Sequence, residues 1–236
     1  MKTAVIISGG NIEEDFALRF LQGKKYDCVI AADRGLQFLK KHGMRPTHIV
    51  GDFDSLPEGE GDSIDQIDVQ REKECGKSHI LEAYENDPEV TIRKFQPEKD
   101  WTDTEIAAEL AVELGCETMD ILGATGTRLD HVMGNIQLLA LMLERGRDCY
   151  LIDSRNKIYM REKAFDLCRE KQWGHYLSLF AYGGDVTGLT LKGVKYPLDG
   201  FTLGTVGTRG VSNEIVDEIA HISFESGKLL VMETRD

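Results

Sequence analysis

The first half of the chain alternates short apolar runs with stretches of roughly ten residues that have helical character. The runs at positions 3–8, 27–32 and 47–50 are rich in β-branched residues, and turn residues follow each of them. Parallel strands need a long crossover connection of this kind, whereas antiparallel strands can be joined by tight turns. The alternation therefore predicts an α/β domain with a mostly parallel sheet and crossover helices.

Helix-start signals locate several of the crossovers. Asn11 is expected to cap a helix that runs to about Leu21, and Thr102 followed by Glu105 is a capping-box signature. A weaker helix is expected within 78–85. The helix predicted from 129 to 145 is apolar on nearly every side after its first turn, which is typical of a buried helix. Further strands are expected at 90–95 and 119–122.

The hydrophobic period changes near Cys149 and no amphipathic helix follows. Segments 150–153 and 157–161 flank a short polar turn and predict a hairpin. Short strands with turns between them are then expected at 175–182, 187–194, 201–203, 220–224 and 229–233, which is typical of an antiparallel sandwich or barrel. The sequence therefore predicts two domains, α/β over 1–147 and all-β over 148–236.

Composition excludes several functions. The net charge of −13 disfavours a nucleic-acid partner, which would need a basic face. The five cysteines show no C-x-x-C pair, and Cys28, Cys116 and Cys149 lie in or beside apolar runs, as expected for reduced core thiols. The six histidines lack zinc-site spacing. With no run that resembles a signal peptide or a membrane span, we expect a cytoplasmic chain with no membrane partner.

Two carboxylates, Asp52 and Asp54, follow the third predicted strand directly. Oxygen ligands this close together suit Mg²⁺, although a solvated turn has the same composition. The sequence has no G-x-x-x-x-G-K-[ST] motif, and its Ser8-Gly9-Gly10-Asn11 stretch does not complete a G-x-G-x-x-G motif. An EF-hand is excluded as well, because Pro57 occupies the glycine position and Ser63 the bidentate glutamate position.

Three other polar loops also follow predicted strands, and a parallel sheet would gather all four at one edge. Each loop alone is compatible with ordinary helix capping. Together they bring carboxylates beside Lys99 and Arg128, a combination that suits a metal ion and a polyphosphate. The loops contain Asp33; Asp52 and Asp54; 99–103; and 123–131.

The ordered motifs resemble the bacterial thiamine pyrophosphokinase family over nearly the whole chain. They are Asp33-Arg34-Gly35, 51–55, Lys99-Asp100-Trp101-Thr102-Asp103, 123–131 and Val211-Ser212-Asn213-Glu214. The resemblance implies an α/β domain followed by a β-sandwich domain, and a homodimer with active sites at the subunit interface. It also implies transfer of the pyrophosphoryl group of ATP to the hydroxyl of thiamine, giving AMP and thiamine diphosphate.

The resemblance also assigns roles to residues. It implies Asp52, Asp54 and Asp100 as Mg²⁺ ligands and Ser212 and Asn213 as thiamine-binding residues. The residues expected at ATP are Asp33, Asp52, Asp54, Lys99, Thr102, Arg128 and His131, and those expected in catalysis are Asp100, Asp103, Arg128 and Asp130.

The proton acceptor and the aromatic contacts to thiamine stay open at this point. Asp103 and Asp130 are candidates to accept the alcohol proton, and Trp101 and Trp173 are candidates to contact thiamine, although packing explains large aromatics equally well. The chain departs from the family pattern at Arg34, where many members have glycine, and at 229–231, near where mammalian members have a tryptophan. The acidic stretch 56–89 is not part of the family motifs.

Two other functions are compatible with part of the pattern. A nucleotide-sugar transferase could use the Asp52/Asp54 pair, but it has no use for the other loops or for Ser212 and Asn213. A non-catalytic nucleotide- or thiamine-binding regulator would be expected to have lost a metal carboxylate.

Overall fold

The computed structural model describes residues 1–51, 79–85, 87–94, 101–126 and 128–236. Within them, the first part of the chain forms six strands and five helices. The strands are β1 (Thr3–Ile7), β2 (Cys28–Ala32), β3 (His48–Gly51), β4 (Thr91–Lys94), β5 (Thr118–Leu122) and β6 (Asp148–Ile152). The helices are α1 (Glu14–Gln22), α2 (Gly35–Lys41), α3 (His79–Glu85), α4 (Asp103–Glu113) and α5 (Leu129–Glu144).

These six strands form a parallel sheet in the order β4-β3-β2-β1-β5-β6. The predicted α/β architecture is therefore confirmed. From β1 the chain adds β2, β3 and β4 on one side, and β5 and β6 on the other. The order thus reverses between β1 and β5, and the connections leave the sheet in opposite directions there. Ligands of open α/β sheets bind outside the carboxyl ends of the strands at such a point.

Strand β1 is buried on both faces, which explains its uninterrupted apolar sequence. Ala4 and Ile6 belong to the core on the face of α4 and α5, whereas Val5 and Ile7 belong to the core on the face of α1 and α2. All four side chains have no exposed surface. Burial of each isoleucine contributes about 1.5–3 kcal/mol, so the centre of the sheet is strongly fixed.

The second part of the chain is antiparallel and β-rich, as predicted. Two layers enclose a separate core, with Leu177, Leu179 and Val231 on one side and Leu191 and Ile222 on the other. The strands are β7 (Asn156–Arg161), β8 (Phe165–Cys168), β9 (Tyr176–Lys192), β10 (Leu198–Leu203), β11 (Asn213–Glu214), β12 (Ile219–Ser223) and β13 (Ser226–Thr234), and a 3₁₀ turn covers Arg169–Lys171.

Strand β9 corrects the prediction of two separate strands at 175–182 and 187–194. Gly183-Gly184-Asp185 had the composition of a turn, but β9 runs through it as one strand of 17 residues. Its first half pairs with β13 and its last residues pair with β12 in the other layer. Gly183 has a φ of 70°, which glycine adopts without steric cost, so the glycines bend the strand between layers instead of reversing it.

The predicted hairpin is confirmed as β6 and β7, and β6 also pairs in parallel with β5. The sheet is therefore continuous from the first part of the chain into the second. No break in pairing marks the boundary predicted after residue 147, and that boundary stays a prediction.

The helix starts agree with the sequence at α4 and differ at α1. Thr102 caps α4, and its Oγ1 accepts a hydrogen bond from the Glu105 N–H over 3.2 Å. Helix α1 begins at Glu14 after Glu13, not at Asn11, because the chain before it first crosses the end of β5. The Gly10 N–H donates to the Gly123 carbonyl there, which holds Asn11 in a loop.

Cys28, Cys116 and Cys149 are buried free thiols, as predicted, and Cys75 lies outside the described residues. Helix α5 buries one side of its second half, through Asn135, Ile136, Leu138, Leu139, Ala140 and Met142, whereas Gln137 between them is exposed. Within the described ranges, the helices are all too short or too polar to cross a bilayer.

Candidate active site

A cleft of about 1020 Å³ lies outside the carboxyl ends of β1, β2 and β5, where the strand order reverses. Its walls come from loops that are distant in sequence, and they include residues of three of the four predicted polar loops. The lining residues include Ser8, Gly9, Gly10, Asn11, Asp33, Arg34, Lys41, Trp101, Thr102, Asp103, Thr104, Gly123, Ala124, Arg128, His131 and Asn135.

Asp33 is the first residue after β2 and has a φ of +48°. This left-handed conformation is uncommon outside glycine, although aspartate tolerates it better than most residues. The Asp33 N–H donates to the Val50 carbonyl over 3.1 Å, and its own carbonyl accepts from the Leu36 N–H. The backbone of the neighbouring strand and the first turn of α2 thus fix Asp33 at the cleft.

Close packing explains why glycine occupies the third position of the Asp33-Arg34-Gly35 motif. A Cβ atom built on Gly35 would lie 1.9 Å from the Ile7 carbonyl oxygen, so α2 contacts the end of β1 directly. Arg34 has an ordinary helical φ of −61°, so the backbone does not require the glycine found there in many family members.

The first turn of α4 supplies Thr102, Asp103 and Thr104 to the cleft. The Thr104 and Ser8 hydroxyl oxygens are 2.6 Å apart, and both residues are buried. This hydrogen bond joins the loop after β1 to the start of α4. It fixes the position of the helix whose first residue is Asp103.

The loop after β5 is held from both sides. Gly10 packs so closely that a Cβ on it would lie 2.2 Å from the Gly123 oxygen. From α5, the buried Asn135 donates from Nδ2 to the Ala124 carbonyl over 2.8 Å. The Thr125 hydroxyl donates to Asp153 Oδ2 over 2.5 Å. The part of the predicted glycine-bearing turn at 123–126 is therefore held in place at the cleft.

Arg128 and Asp130 form an exposed ion pair at the start of α5, with 2.6 Å between Arg128 Nη2 and Asp130 Oδ2. Two hydrogen bonds lower the pKa of Asp130 to about 2. The larger contribution comes from the Arg128 side chain and the smaller one from the His131 N–H. The same pairing raises the pKa of Arg128. A carboxylate with so low a pKa is a poor proton acceptor near neutral pH, which disfavours Asp130 as the base.

Basic side chains also line the cleft. Arg34, Lys41 and Arg128 all contribute, and Lys41 Nζ bonds to Glu14 Oε1 over 2.5 Å. Guanidinium groups bind phosphate with two parallel hydrogen bonds, so this wall suits a polyphosphate.

Asp52, Asp54 and Asp100 lie outside the described residues, as do Lys99 and most of the acidic stretch 56–89. Among the side chains that are described, no group of three or more His, Cys, Asp or Glu residues could hold a metal ion. The carboxylates of Asp33 and Asp103 at the cleft are the oxygen donors that Mg²⁺ prefers, so the described residues are compatible with it.

Ser212 and Asn213 belong to the second part of the chain and do not line this cleft. Asn213 lines a separate cavity of about 400 Å³. Trp101 lines the cleft and is 62% exposed. Trp173 instead packs edge-on against Phe16 and Phe20, with ring centroids 5.6 and 5.8 Å away. This agrees with packing, the alternative to a thiamine contact for Trp173.

Sequence reasoning missed the loop Ser8-Gly9-Gly10-Asn11 as a wall of the cleft. The stretch does not match the dinucleotide fingerprint, so motif matching alone gives it no role. Its position directly after a parallel strand was a sufficient signal, because the carboxyl ends of parallel strands share one edge.

Comparisons with known proteins identify the family. Residues 22–151 match the family model described as "Thiamin pyrophosphokinase, catalytic domain", and residues 164–229 match "Thiamin pyrophosphokinase, vitamin B1 binding domain". The chain is 32% identical over 241 residues to the thiamine pyrophosphokinase of Bacillus subtilis, with all of both chains covered.

Solved structures agree in fold. The crystal structure of the Bacillus subtilis thiamine pyrophosphokinase has a TM-score of 0.80 at 30% identity, and all of both chains is covered. That of the Geobacillus thermodenitrificans thiamin pyrophosphokinase has a TM-score of 0.77 at 28% identity, covering 100% of this chain and 98% of the other. Neither the regulator nor the sugar transferase is favoured by these matches. The chain belongs to the thiamine pyrophosphokinase family, whose enzymes transfer a pyrophosphoryl group from ATP to thiamine.

Proposed function

We propose that this chain makes thiamine diphosphate in the cleft at the ends of β1, β2 and β5, with ATP bound as its magnesium complex. The main support for the proposal is that Asp33, Asp103 and Arg128 line one cleft although they come from three separate segments of the chain. This cleft lies where the strand order reverses. Carboxylates beside guanidinium groups at this position suit a metal–polyphosphate complex.

The basic residues of the cleft would bind and orient the triphosphate. Arg128 and Arg34 can each donate paired hydrogen bonds to phosphate oxygens, and Lys41 adds a further positive charge. Asp52, Asp54 and Asp100 would hold Mg²⁺, and the ion would supply neutralisation of the phosphate charge. Phosphoryl-type transfer depends mainly on such positioning and neutralisation, and a covalent enzyme intermediate is not needed.

The reaction moves one proton and exchanges one P–O bond. The hydroxyl oxygen of thiamine bonds to the β-phosphorus, the bond from that phosphorus to the α,β-bridging oxygen breaks, and AMP leaves. We assign the hydroxyl proton to the Asp103 carboxylate. Asp103 lines the cleft at the start of α4. The pKa of Asp130 is lowered to about 2, which disfavours Asp130 in this role.

The metal role is tested with Asp54→Asn in the full chain. The variant should bind thiamine and keep the wild-type melting temperature, but lose turnover at saturating Mg²⁺ and ATP, since a metal-binding carboxylate has been removed. Asp15→Asn, an exposed aspartate in the first turn of α1, is the matched control. Wild-type turnover by Asp54→Asn would remove this residue from the metal site.

We also propose that the chain works as a homodimer with shared active sites. The 1020 Å³ cleft and the 400 Å³ cavity have no lining residue in common, and each belongs to a different part of the chain. Leu129 and Met133, one helical turn apart beside the cleft, are 77% and 54% exposed. Apolar side chains exposed side by side favour coverage by a second copy.

Mixing two impaired variants, each altered in a different part of the chain, tests this arrangement. Asp103→Asn removes the proposed proton acceptor, and a second variant with Ser212→Ala and Asn213→Ala removes the side chains predicted to bind thiamine. If the site is shared, mixed dimers contain one site built from two unaltered parts, so activity should return on mixing. A monomer in sedimentation analysis, or no recovery of activity after subunit exchange, would refute the shared site.

The compartment is also part of the proposal. Buried cysteines that remain free thiols support a location in the reducing cytoplasm.

A further inference from the structure

The first residue after β6, Asp153, is a carboxylate at the edge of the parallel sheet where the cleft opens. Because Ile152 pairs with Leu122, Asp153 lies beside the start of the loop after β5. Asp153 is not among the residues that line the cleft. A strand-end carboxylate of this chain thus lies next to the proposed substrate site without belonging to its walls.

Hydrogen-bond donors of the protein occupy both oxygens of this carboxylate. Oδ1 accepts from the N–H groups of Arg155 and Asn156, each over 2.7 Å, and from Asn156 Nδ2 over 3.0 Å. Oδ2 accepts from the Thr125 hydroxyl and, over 3.0 Å, from Asn156 Nδ2. A carboxylate offers about four acceptor positions, so these contacts leave none for a metal ion. Asp153 therefore organises the protein around it and is not a further metal ligand.

The donors come from two different segments of the chain. Arg155 and Asn156 lie at the turn between β6 and β7, and the Asp153 N–H closes that turn by donating to the Asn156 carbonyl over 2.9 Å. Thr125 lies 28 positions before Asp153, in the loop after β5. The sheet continues through this hairpin into the β-rich part. The Thr125–Asp153 hydrogen bond thus connects that hairpin with the loop after β5.

Within the loop, Thr125 has a different role from its neighbours. Residues on both sides of it line the cleft, namely Gly123, Ala124 and Gly126. Thr125 does not line the cleft and bonds to Asp153 instead. Thr125 is therefore an anchor of the loop, and the residues beside it form the cleft wall.

Arg128, three positions after this anchor, depends on the loop for its placement. It has an extended backbone, with φ −84° and ψ 109°, and it precedes the first residue of α5. Its side chain is 69% exposed, and its ion-pair partner Asp130 belongs to the same turn of the chain. The position of the guanidinium is therefore set by the backbone, and a displacement of Thr125 would move that backbone.

The contact with Asp153 is suited to this anchoring. A hydrogen bond that ends on a carboxylate is about twice as strong as one between neutral groups. The N–H groups of the β6–β7 turn fix the orientation of the carboxylate, so Oδ2 stays directed at Thr125. Group transfer is sensitive to such anchoring, because a displacement of about 1 Å can cost about a hundredfold in rate.

We infer that Thr125 and Asp153 are positioning residues, which hold the loop after β5 so that Arg128 meets the triphosphate of ATP. This inference rests on the proposed function, in which Arg128 binds the triphosphate. It gives a residue of the β6–β7 hairpin a role in the ATP site, although that residue does not line the cleft. Loss of the contact should therefore act on ATP and not on thiamine.

The experiment removes the contact and keeps the rest of the loop. Thr125→Val replaces the hydroxyl with a methyl group of similar size, and Thr125→Ser keeps the hydroxyl. Thr187→Val is the control, because it removes a hydroxyl that lies 2.8 Å from the Ser226 hydroxyl, away from the cleft. Calorimetry of the full-length proteins with ATP and Mg²⁺ in the absence of thiamine measures binding. Steady-state kinetics give kcat and both KM values, and thermal unfolding shows whether each variant is folded.

Thr125→Val should weaken ATP binding about tenfold or more and lower kcat/KM for ATP by at least the same factor, since the triphosphate loses a correctly placed guanidinium. Its KM for thiamine should stay within about twofold of the wild-type value, as expected for a residue that acts on the other substrate. Thr125→Ser and Thr187→Val should bind ATP within about twofold of wild type, because each keeps the Thr125–Asp153 type of contact.

Arg128→Ala tests whether Thr125 acts through Arg128. Adding Thr125→Val to Arg128→Ala should weaken ATP binding by less than about twofold, because the group that the anchor positions is already absent. A role in folding alone would give a lower melting temperature and no such dependence on Arg128. The cycle of four proteins therefore distinguishes a positioning role from a structural one.

Two results would overturn the inference while leaving the enzyme reaction in place. One is wild-type ATP binding by Thr125→Val, and the other is an equal loss of ATP binding with and without Arg128. If Thr125→Val does not fold, Thr125→Ala, which also lacks the hydroxyl, takes its place in the cycle. Absence of thiamine-dependent AMP formation by wild type would instead refute the proposed function, and the two failures are therefore distinguishable.

Discussion

The hydroxyl groups of Ser8 and Thr104 lie 2.6 Å apart, in two largely buried residues that line the cleft. Ser8 follows β1 and Thr104 lies in the first turn of α4, 96 positions later in the chain. This contact connects the central strand of the sheet with the helix that presents Asp103. The position of the proposed proton acceptor thus depends on a hydrogen bond between two other residues of the cleft.

Breaking the Ser8–Thr104 pair should reduce both stability and turnover. We expect Ser8→Ala and Thr104→Val each to lower the free energy of unfolding by about 1–3 kcal/mol, because each leaves the hydroxyl of the other residue without its partner. The double variant should lose less free energy of unfolding than the two single variants together, since both single variants remove the same hydrogen bond. Urea unfolding of the four proteins gives the coupling energy. Strict additivity would show that the two hydroxyls are independent.

Gly35 lies where α2 packs closely against the end of β1, and Gly134 in α5 provides a control for its substitution. Gly35→Ala should destabilise the chain by about 1–3 kcal/mol, since the new Cβ would lie 1.9 Å from the Ile7 oxygen and α2 must shift. Gly134 lies within α5, and a Cβ atom added there would meet open space out to 4 Å, so Gly134→Ala should stabilise the chain by about 0.5–1 kcal/mol. Thermal unfolding measures both. Equal melting temperatures for the two variants would contradict the packing described for Gly35.

Asn135 is expected to act on catalysis through the loop after β5. Asn135→Ala leaves the Ala124 carbonyl without its side-chain donor, which costs about 1–3 kcal/mol and loosens a wall of the cleft proposed to bind ATP. The KM for ATP should rise more than the KM for thiamine. Gln137→Ala, two positions along the same helix and exposed, should stay within about 0.5 kcal/mol of wild type. If both variants had the same KM for ATP, the Asn135 hydrogen bond would have no part in shaping the cleft.

Tyr26 makes stability sensitive to alkaline pH. Its hydroxyl donates to the buried Asp120 carboxylate over 2.6 Å, and burial, followed by the Asp120 charge, raises the pKa of Tyr26. Because the folded state raises this pKa, protonated Tyr26 stabilises the fold below about pH 10, the ordinary tyrosine pKa. That contribution is lost as the pH rises further.

Tyr26→Phe should therefore lower the free energy of unfolding by about 1.5–3 kcal/mol at neutral pH, the usual range for a hydrogen bond to a charged group. The difference between variant and wild type should shrink above about pH 10. Urea unfolding at a series of pH values measures the difference. A gap between the two proteins that stays constant up to pH 11, about one unit above the tyrosine pKa, would show that Tyr26 does not titrate with unfolding.

Local patterns predicted the parallel part of the fold well, because strands buried on both faces must be apolar throughout, as in Ala4–Ile7. The parallel arrangement of these strands also predicted, from the sequence alone, that Asp33, Asp103 and Arg128 lie at one edge of the sheet. It failed at β9, where Gly183-Gly184 bends a strand between two layers. A bend and a reversal have the same local composition, and only pairing with distant strands distinguishes them.

The structure of the segment predicted to bind thiamine depends still more on long-range contacts. The motif pointed to Ser212 and Asn213, but no local rule shows that the Asn213 amide is used by Tyr196, 17 positions away. Likewise, the Ser8–Thr104 bond joins residues that no periodicity connects. Residue types indicated the chemistry, and contacts between distant parts of the chain determine which side chains can reach the substrate.

The most direct measurement follows each phosphorus atom of ATP through one turnover. Wild-type protein is incubated with Mg²⁺, thiamine and ATP labelled separately at the α-, β- or γ-phosphorus. We expect the β- and γ-labels to appear together in thiamine diphosphate and the α-label to remain in AMP, in equal amounts and only when thiamine is present. Recovery of the β-label in ADP, or of the γ-label alone on thiamine, would contradict pyrophosphoryl transfer by this chain.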